Sequence, residues 1–319
     1  MAGELIFLTG GTGFVGFATL RAALRDGYKV LAAVRSESKA EIIRSHPTLK
    51  NISKDQLSFL VIADFTAEGA FDHALKDVDY IVHLASPIPR AGLTGQEDLD
   101  AEFITPAIQA TTNVLKAAQK AGSIKRVVLT SSAVAIMPMS AFVGSDEVWT
   151  PQHRTEPLPA PYFNNVQAAY GTSKTLALKH AEDFMASEAP KFDAIFIHPV
   201  LVLGRDELAS TAKDVAGSTN EFLLAPVLGK SNDGFIFSVT HVEDVALAHI
   251  RALDPKVKGN QSFLLSNSGE EGWTVSTYAS TADTTIYERR LTELAIVGRC
   301  ETIHCDPLPA SSGEWNASE

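Results

Sequence analysis

An α/β fold built on a doubly wound parallel sheet, with a smaller lobe added late in the chain, is predicted by three features of these 319 residues. Short apolar runs alternate with helix-period segments through the first two hundred positions. The runs lack the inside–outside alternation of a half-exposed strand, so helices should cover both faces of their sheet. A glycine cluster closes the first run and opens the first helix, as in sheets wound in two directions.

The elements follow in order. "ELIFLT" (4–9) is the first expected strand, and 14–26 a helix with Val15, Ala18, Ala22 and Ala23 near one face. "YKVLAAV" (28–34) is a second strand, followed by a polar helix near 37–45. "LSFLVI" (57–62), "DYIVHLA" (79–85), "RVVLTS" (126–131) and "DAIFIHP" (193–199) repeat the strand pattern. Helices are expected near 67–76, 97–121 and 168–187. The prolines of "TPQHRTEPLPAP" (150–161) require a loop. From 200 to 234 the chain is glycine-interrupted, with a helical hint at 220–228; "FIFSVT" (235–240) and "HVEDVALAHIRAL" (241–253) then return to strand and amphipathic helix. Residues 1–199 with 235–253 should therefore form the main domain, and 200–234 with 254–319 a smaller lobe.

Composition narrows the function classes. The hydrophobic share is 45%, the charged share 20%, and 27 basic against 38 acidic residues leave a net charge of −11. Such a chain is an ordinary globular one, and its charge argues against a broad nucleic-acid or anionic-membrane surface. No apolar run reaches the roughly 18–20 residues of a membrane span. "MAGELIFLTGG" lacks the basic segment of a signal peptide, and the two cysteines, Cys300 and Cys305, make no disulfide framework. A cytoplasmic protein is expected, as a monomer or homodimer.

In "LIFLTGGTGFVGFATLRAAL" (5–24), strand, glycine turn and helix follow one another directly. That order offers backbone N–H groups and a helix N-terminus to a phosphate. Gly10 would permit the turn, Gly13 a close approach of a pyrophosphate, and Gly16 tight helix–strand contact. Thr12, Phe14 and Val15 complete this candidate dinucleotide site. At the end of strand two an acid would bind a ribose 2′-hydroxyl, but "LAAVRSESK" has Arg35 there and Lys39 one helical turn on. Two cations suit a 2′-phosphate, hence NADP(H) over NAD. Asp64 in "VIADF" is a candidate acceptor for the adenine amino group, or equally a helix N-cap, with Phe65 beside the ring. Leu84, Ala85 and Ser86 in "HLASP" end strand four, where a ligand crevice forms.

The chemistry rests on "AAYGTSKTLALKHAEDF", which sets Tyr170 and Lys174 four residues apart on one helical face. A nearby ammonium favours the phenolate and should draw the phenol toward the working pH range. In "VLTSSAVA", Thr130, Ser131 and Ser132 end strand five, on the sheet edge where the cofactor would lie. A hydroxyl there can hold a carbonyl oxygen while Tyr170 supplies a proton.

"TGGTGFVG", "HLASP", "RVVLTSSA", "YGTSK" and "HVEDVA", in that order, resemble the extended short-chain dehydrogenase/reductase family, a Rossmann-fold group. The likeness is strongest to its dihydroflavonol-reductase-like branch with the fungal ketone and aldehyde reductases, and spans about residues 4–266. "VRSESKA" resembles that branch's NADP-selecting segment. The resemblance implies Ser132 as catalytic serine, Tyr170 as proton donor, and Lys174 as the residue that holds the nicotinamide ribose and lowers the tyrosine pKa. It implies Asn113 in the active-site hydrogen-bond network, though as a bare feature Asn113 is equally a polar helix residue. Pro199 and Val200 in "HPVLVLG" would lie near the nicotinamide.

The implied reaction is hydride transfer from NADPH to a small ketone or aldehyde. Met137, Phe142, Phe163 and Phe222 are candidate pocket residues, each also readable as ordinary packing. Beyond "NQSFLLSNSGEEG" the likeness fades, and residues 273–319 diverge from the family's substrate lobe, with one expected helix at 285–297. Cys300, His304 and Cys305 in "CETIHC" lack a fourth ligand at zinc-type spacing, so no metal is expected. Two alternatives stand beside the reductase. One is an epimerase or dehydratase for a nucleotide sugar or sterol; the other is a non-catalytic NADP-binding protein with a defective lobe.

Overall fold

The computed structural model of the chain describes residues 3–89, 98–139, 141, 149–161, 165–227 and 238–266. Among these, the apolar runs become β1 (Leu5–Thr9), β2 (Lys29–Val34), β3 (Leu57–Val61), β4 (Tyr80–His83), β5 (Arg126–Thr130) and β6 (Asp193–Pro199). Three later strands follow: β7 (Leu201–Leu203), β8 (Val239–His241) and β9 (Gln261–Leu265). Seven of them form one parallel sheet in the order β3-β2-β1-β4-β5-β6-β9, while β7 and β8 pair separately.

Helices cover both faces, as the unbroken apolar runs demand. On β1, Ile6 and Leu8 join one core with α1 (Phe14–Arg25), α2 (Glu37–Arg44) and α7 (Val242–Arg251). Phe7 points the other way, into a second core with α3 (Thr105–Ala121) and α4 (Val166–Glu188). Phe7, Phe17, Phe71 and Leu115 are all fully or almost fully buried. Each such side chain contributes roughly 1.5–3 kcal/mol relative to exposure. Small residues let the helices approach: Ala18 and Ala22 on α1, Ala246 on α7.

The helix ends follow from local chemistry. Ser36 caps α2, and the Asn165 side chain accepts from the Ala168 N–H at 2.9 Å to start α4. Gly122 closes α3 in the left-handed region, with φ of +68°.

Several elements differ from expectation. No helix forms over 67–76; the segment is a series of turns with Gly69 at φ +71° and Asp77 at +60°. Its apolar period is used to plug the second core through Phe71, Ala74, Leu75 and Val78. Helix α3 begins at Thr105, with Pro106 in its first turn, after a wider helical turn over Asp100–Ile104. The short β7, α5 (Ala212–Ala216) and sheet-completing β9 were not expected, whereas the 220–228 hint becomes α6 (Glu221–Val227). Of the strand expected over 235–240, 238–240 are described and pairing starts at Val239. The helix expected at 285–297 and the "CETIHC" segment lie outside the described residues.

One buried arginine ties the right half of the sheet together. Arg126 donates to Asp193 through Nε and Nη2 at 2.5 and 3.0 Å. Its remaining N–H groups reach the carbonyls of Ala252, Asp254 and Val257 at 2.6, 3.0 and 2.8 Å. All five guanidinium donors are thus used, binding β5, β6 and the segment after α7.

Candidate active site

Chain direction across the sheet reverses between β1 and β4, which are neighbours. Connections leave these two strands to opposite faces, so a crevice opens at their carboxyl ends. The glycine turn sits there. Gly10 has φ +80°, and a side chain on it would meet the Ala85 nitrogen at 2.8 Å, so turn and β4 terminus lie in direct contact. A Cβ at Gly16 would drive into the Gly10 carbonyl oxygen.

Gly13 is different. It is exposed, with φ of −99° that any residue adopts, and a Cβ on it would meet only the Gly10 oxygen, at an ordinary 3.4 Å. Nothing in the chain itself requires glycine at this position. It is also the N-cap of α1, where no side chain caps the first-turn N–H groups. Room for a close ligand beside an uncapped helix N-terminus fits a dinucleotide pyrophosphate. Thr12, Phe14 and Val15 are part-exposed beside it.

The β2 and β3 ends flank this turn. Arg35 and Lys39 are both exposed, on either side of the Ser36 cap, whose hydroxyl also pairs with Ser38 at 2.8 Å. The Asp64 carboxylate accepts from the Thr66 N–H and hydroxyl at 2.8 and 2.6 Å. Those bonds, with the Arg35 charge as a lesser contribution, hold it below the usual carboxylate range. The capping alternative for Asp64 is therefore realised, although it caps a turn rather than a helix. Phe65 departs from its expected place: its ring is buried against Phe71, with centroids 5.3 Å apart. Asn113 departs too. Its amide donates to the carbonyls of Phe65, Thr66 and Ala67 at 3.2, 3.0 and 2.9 Å. It thus pins the turn after β3 instead of joining the serine and tyrosine.

The expected reactive set does assemble. Ser132 follows β5 as the cap of a short 3-10 turn, and Tyr170 packs against Ala133 and Val134 of that turn. Lys174, one turn along α4, is buried, with Nζ 5.7 Å from the centre of the Tyr170 ring. Desolvation pushes the Lys174 ammonium down to about 8. The phenol moves opposite to expectation: burial raises Tyr170 above its ordinary value, and the nearby Ser132 hydroxyl opposes that rise. Val200 packs with Tyr170 and Met137, next to Pro199 at the end of β6.

A small pocket adjoins this set, its polar side made by Lys174, His83, Ser86, Thr111, Thr130 and Ser131 and its apolar side by alanines, Leu129, Leu178 and Phe196. The Thr130 hydroxyl turns away from it, to His249 Nε2 on α7 at 2.7 Å, while His249 Nδ1 donates to the Val245 carbonyl. Any Thr130 contact to a cofactor therefore falls to its backbone or its oxygen lone pairs.

Residues 6–265 match the model of the NAD dependent epimerase/dehydratase family. The chain belongs to that family. Among its curated relatives, "Ketoreductase CTB6" of Cercospora nicotianae is 40% identical over 278 residues, covering 85% of this chain and 77% of the relative. A putative NADPH-dependent methylglyoxal reductase of Candida albicans is 30% identical, covering 82% and 78%. Of solved structures, yeast methylglyoxal/isovaleraldehyde reductase Gre2, complexed with NADPH, superposes with a TM-score of 0.72 at 26% identity, covering 83% of this chain and 78% of that one. The family's doubly wound sheet is the sheet described above.

His83 escaped the sequence reading. It faces Thr9 across the β1–β4 register, and its Nδ1 lies 3.0 Å from the Thr9 hydroxyl. Two polar residues ending adjacent apolar strands were the available signal. Among the candidate pocket residues, Met137 is part-buried and Phe222 38% exposed on α6. Phe142 and Phe163 lie outside the described residues.

Proposed function

We propose that the chain is an NADPH-dependent reductase that converts a small ketone or aldehyde to the alcohol. One observation carries the reading: Tyr170 packs against the turn that Ser132 caps, with Lys174 one helical turn away, beside the β5 end of a dinucleotide crevice. When bound, the nicotinamide supplies the hydride. Ser132 Oγ would hold the carbonyl oxygen, and Tyr170 Oη would release its proton to that oxygen as negative charge grows there. Burial keeps the phenol protonated at neutral pH, the form a proton donor needs. A positioned acid of this kind contributes about 10²–10⁴-fold, and fixed orientation of the reactants supplies more.

The uncapped α1 N-terminus and Gly13 would receive the pyrophosphate, and Arg35 with Lys39 the 2′-phosphate. Lys174 would hold the nicotinamide ribose. The ketoreductase and methylglyoxal-reductase relatives, and the NADPH carried by the Gre2 neighbours, support this cofactor and this substrate class. In this reading residues 1–199 with 235–253 bind the nucleotide, 200–234 with 254–319 face the substrate, and the protein works in the cytoplasm.

The test is NADPH oxidation by purified protein, followed as lost absorbance, with a panel of small ketones and aldehydes. Turnover with NADPH well above that with NADH is the expected result. Tight NADPH binding with no turnover would contradict the reading, as would NAD that copurifies with the protein.

A further inference from the structure

Two buried polar atoms near Lys174 have no hydrogen-bond partner among the described residues: His83 Nε2 and Ser131 Oγ. His83 is 3% exposed. Both residues line the same pocket as Lys174, together with Leu129, Leu178 and Phe196. The cavity measures about 20 Å³. A water molecule needs about 10–15 Å³ on this measure and two to four polar partners.

The hydrogen bonds around Thr9 favour one His83 nitrogen as the carrier of the proton. Thr9 is fully buried, and its Oγ1 accepts from the Ala85 N–H at 3.2 Å. Its own hydroxyl proton then has His83 Nδ1, at 3.0 Å, as its partner. Were Nδ1 to donate instead, the Thr9 proton would be buried and unpaired, at a cost of about 1–3 kcal/mol. The imidazole proton therefore sits on Nε2, facing the cavity. Desolvation pushes His83 down to about 4, which keeps the ring neutral. Across the cavity the Lys174 ammonium is also a donor. Two donors cannot bond to each other, so any link between them needs an acceptor.

We propose that His83 is a positioning residue for Lys174: with Ser131 it holds one water in this cavity, and that water fixes the ammonium. The water accepts from His83 Nε2 and Lys174 Nζ and donates to Ser131 Oγ. Its catalytic consequence rests on the reductase reading; its geometry does not.

Two measurements test it. In ¹⁵N-histidine NMR of the wild-type chain, the His83 signal, assigned by its loss in a His83→Asn variant, should show the Nε2–H tautomer. The Nδ1–H tautomer would overturn the proposal. The NADPH oxidation assay then compares two variants. His83→Asn places an amide where Nδ1 stands, keeping Thr9 but losing the donor in the cavity; His83→Gln reaches the cavity. Asn should lower kcat about tenfold, the worth of a hydrogen bond to a charged group, and Gln should restore it to within about threefold of wild type. Equal losses in both variants, or an unimpaired Asn variant, would overturn it. A chain that reduced no carbonyl would sink the reductase reading, while the tautomer would still decide this one.

Discussion

Replacing Lys174 with methionine should make the cofactor-free protein more stable while removing its activity. Lys174 is 6% exposed, and burial lowers its ammonium from 10.5 to about 8. Because the folded-state pKa of this base lies below its unfolded value, the native state binds the proton less readily than the unfolded chain does. Below about pH 8 both states are protonated and the native state carries the whole penalty, roughly 3 kcal/mol at 1.36 kcal/mol per unit. Between about 8 and 10.5 the penalty fades as pH rises. Methionine fills a similar volume without charge, but forfeits the ammonium contact with the Tyr170 ring, roughly 1 kcal/mol. The net expectation is a gain of about 2 kcal/mol at pH 7. Urea denaturation from pH 7 to 10 measures it through the linear dependence of stability on denaturant. A variant no more stable than wild type at pH 7, or a gain that does not shrink with rising pH, would refute the reasoning.

Four further substitutions separate the parts of the site from its scaffold. Gly13→Ala should leave urea stability within about 0.5 kcal/mol yet weaken NADPH binding at least about tenfold, because only a ligand competes for that space. Gly16→Ala, whose new carbon meets the Gly10 carbonyl, should cost more than about 2 kcal/mol of stability; fluorescence titration and denaturation distinguish the two. Arg35→Asp should weaken NADPH far more than NADH in the same titration, and equal losses would remove Arg35 from the 2′-phosphate site. Arg126→Ala should cost about 3–5 kcal/mol in urea, since it strands Asp193 and three carbonyls, while an active folded fraction keeps its KM for NADPH.

Much of this architecture was legible because buried parallel strands are apolar throughout and glycine turns leave an unmistakable trace. Gly10 packs against the end of β4 and Gly16 against Gly10, while Tyr170 lies beside Lys174 and the turn that Ser132 caps. What the pattern could not convey was the partner of each polar side chain. Asn113 read as an active-site group because helix position says nothing about which loop carbonyls lie opposite. The 67–76 segment kept an apolar period compatible with a helix, yet Gly69 and Asp77 adopt positive φ and the period serves core plugs instead. The sign of the Tyr170 shift depended on burial, which outweighs the lowering by the Ser132 hydroxyl. The two-stranded β7–β8 pair hides in runs too short to carry a period.

A single substitution reaches the core of the mechanism. Tyr170→Phe removes one oxygen atom, leaving the ring among Val200, Met137 and Val134 and the glycine turn untouched. If that oxygen delivers the proton, carbonyl-dependent NADPH oxidation should fall by about 10²–10⁴-fold, with NADPH affinity by fluorescence unchanged. Retention of most of the wild-type rate would contradict a phenol-driven reduction.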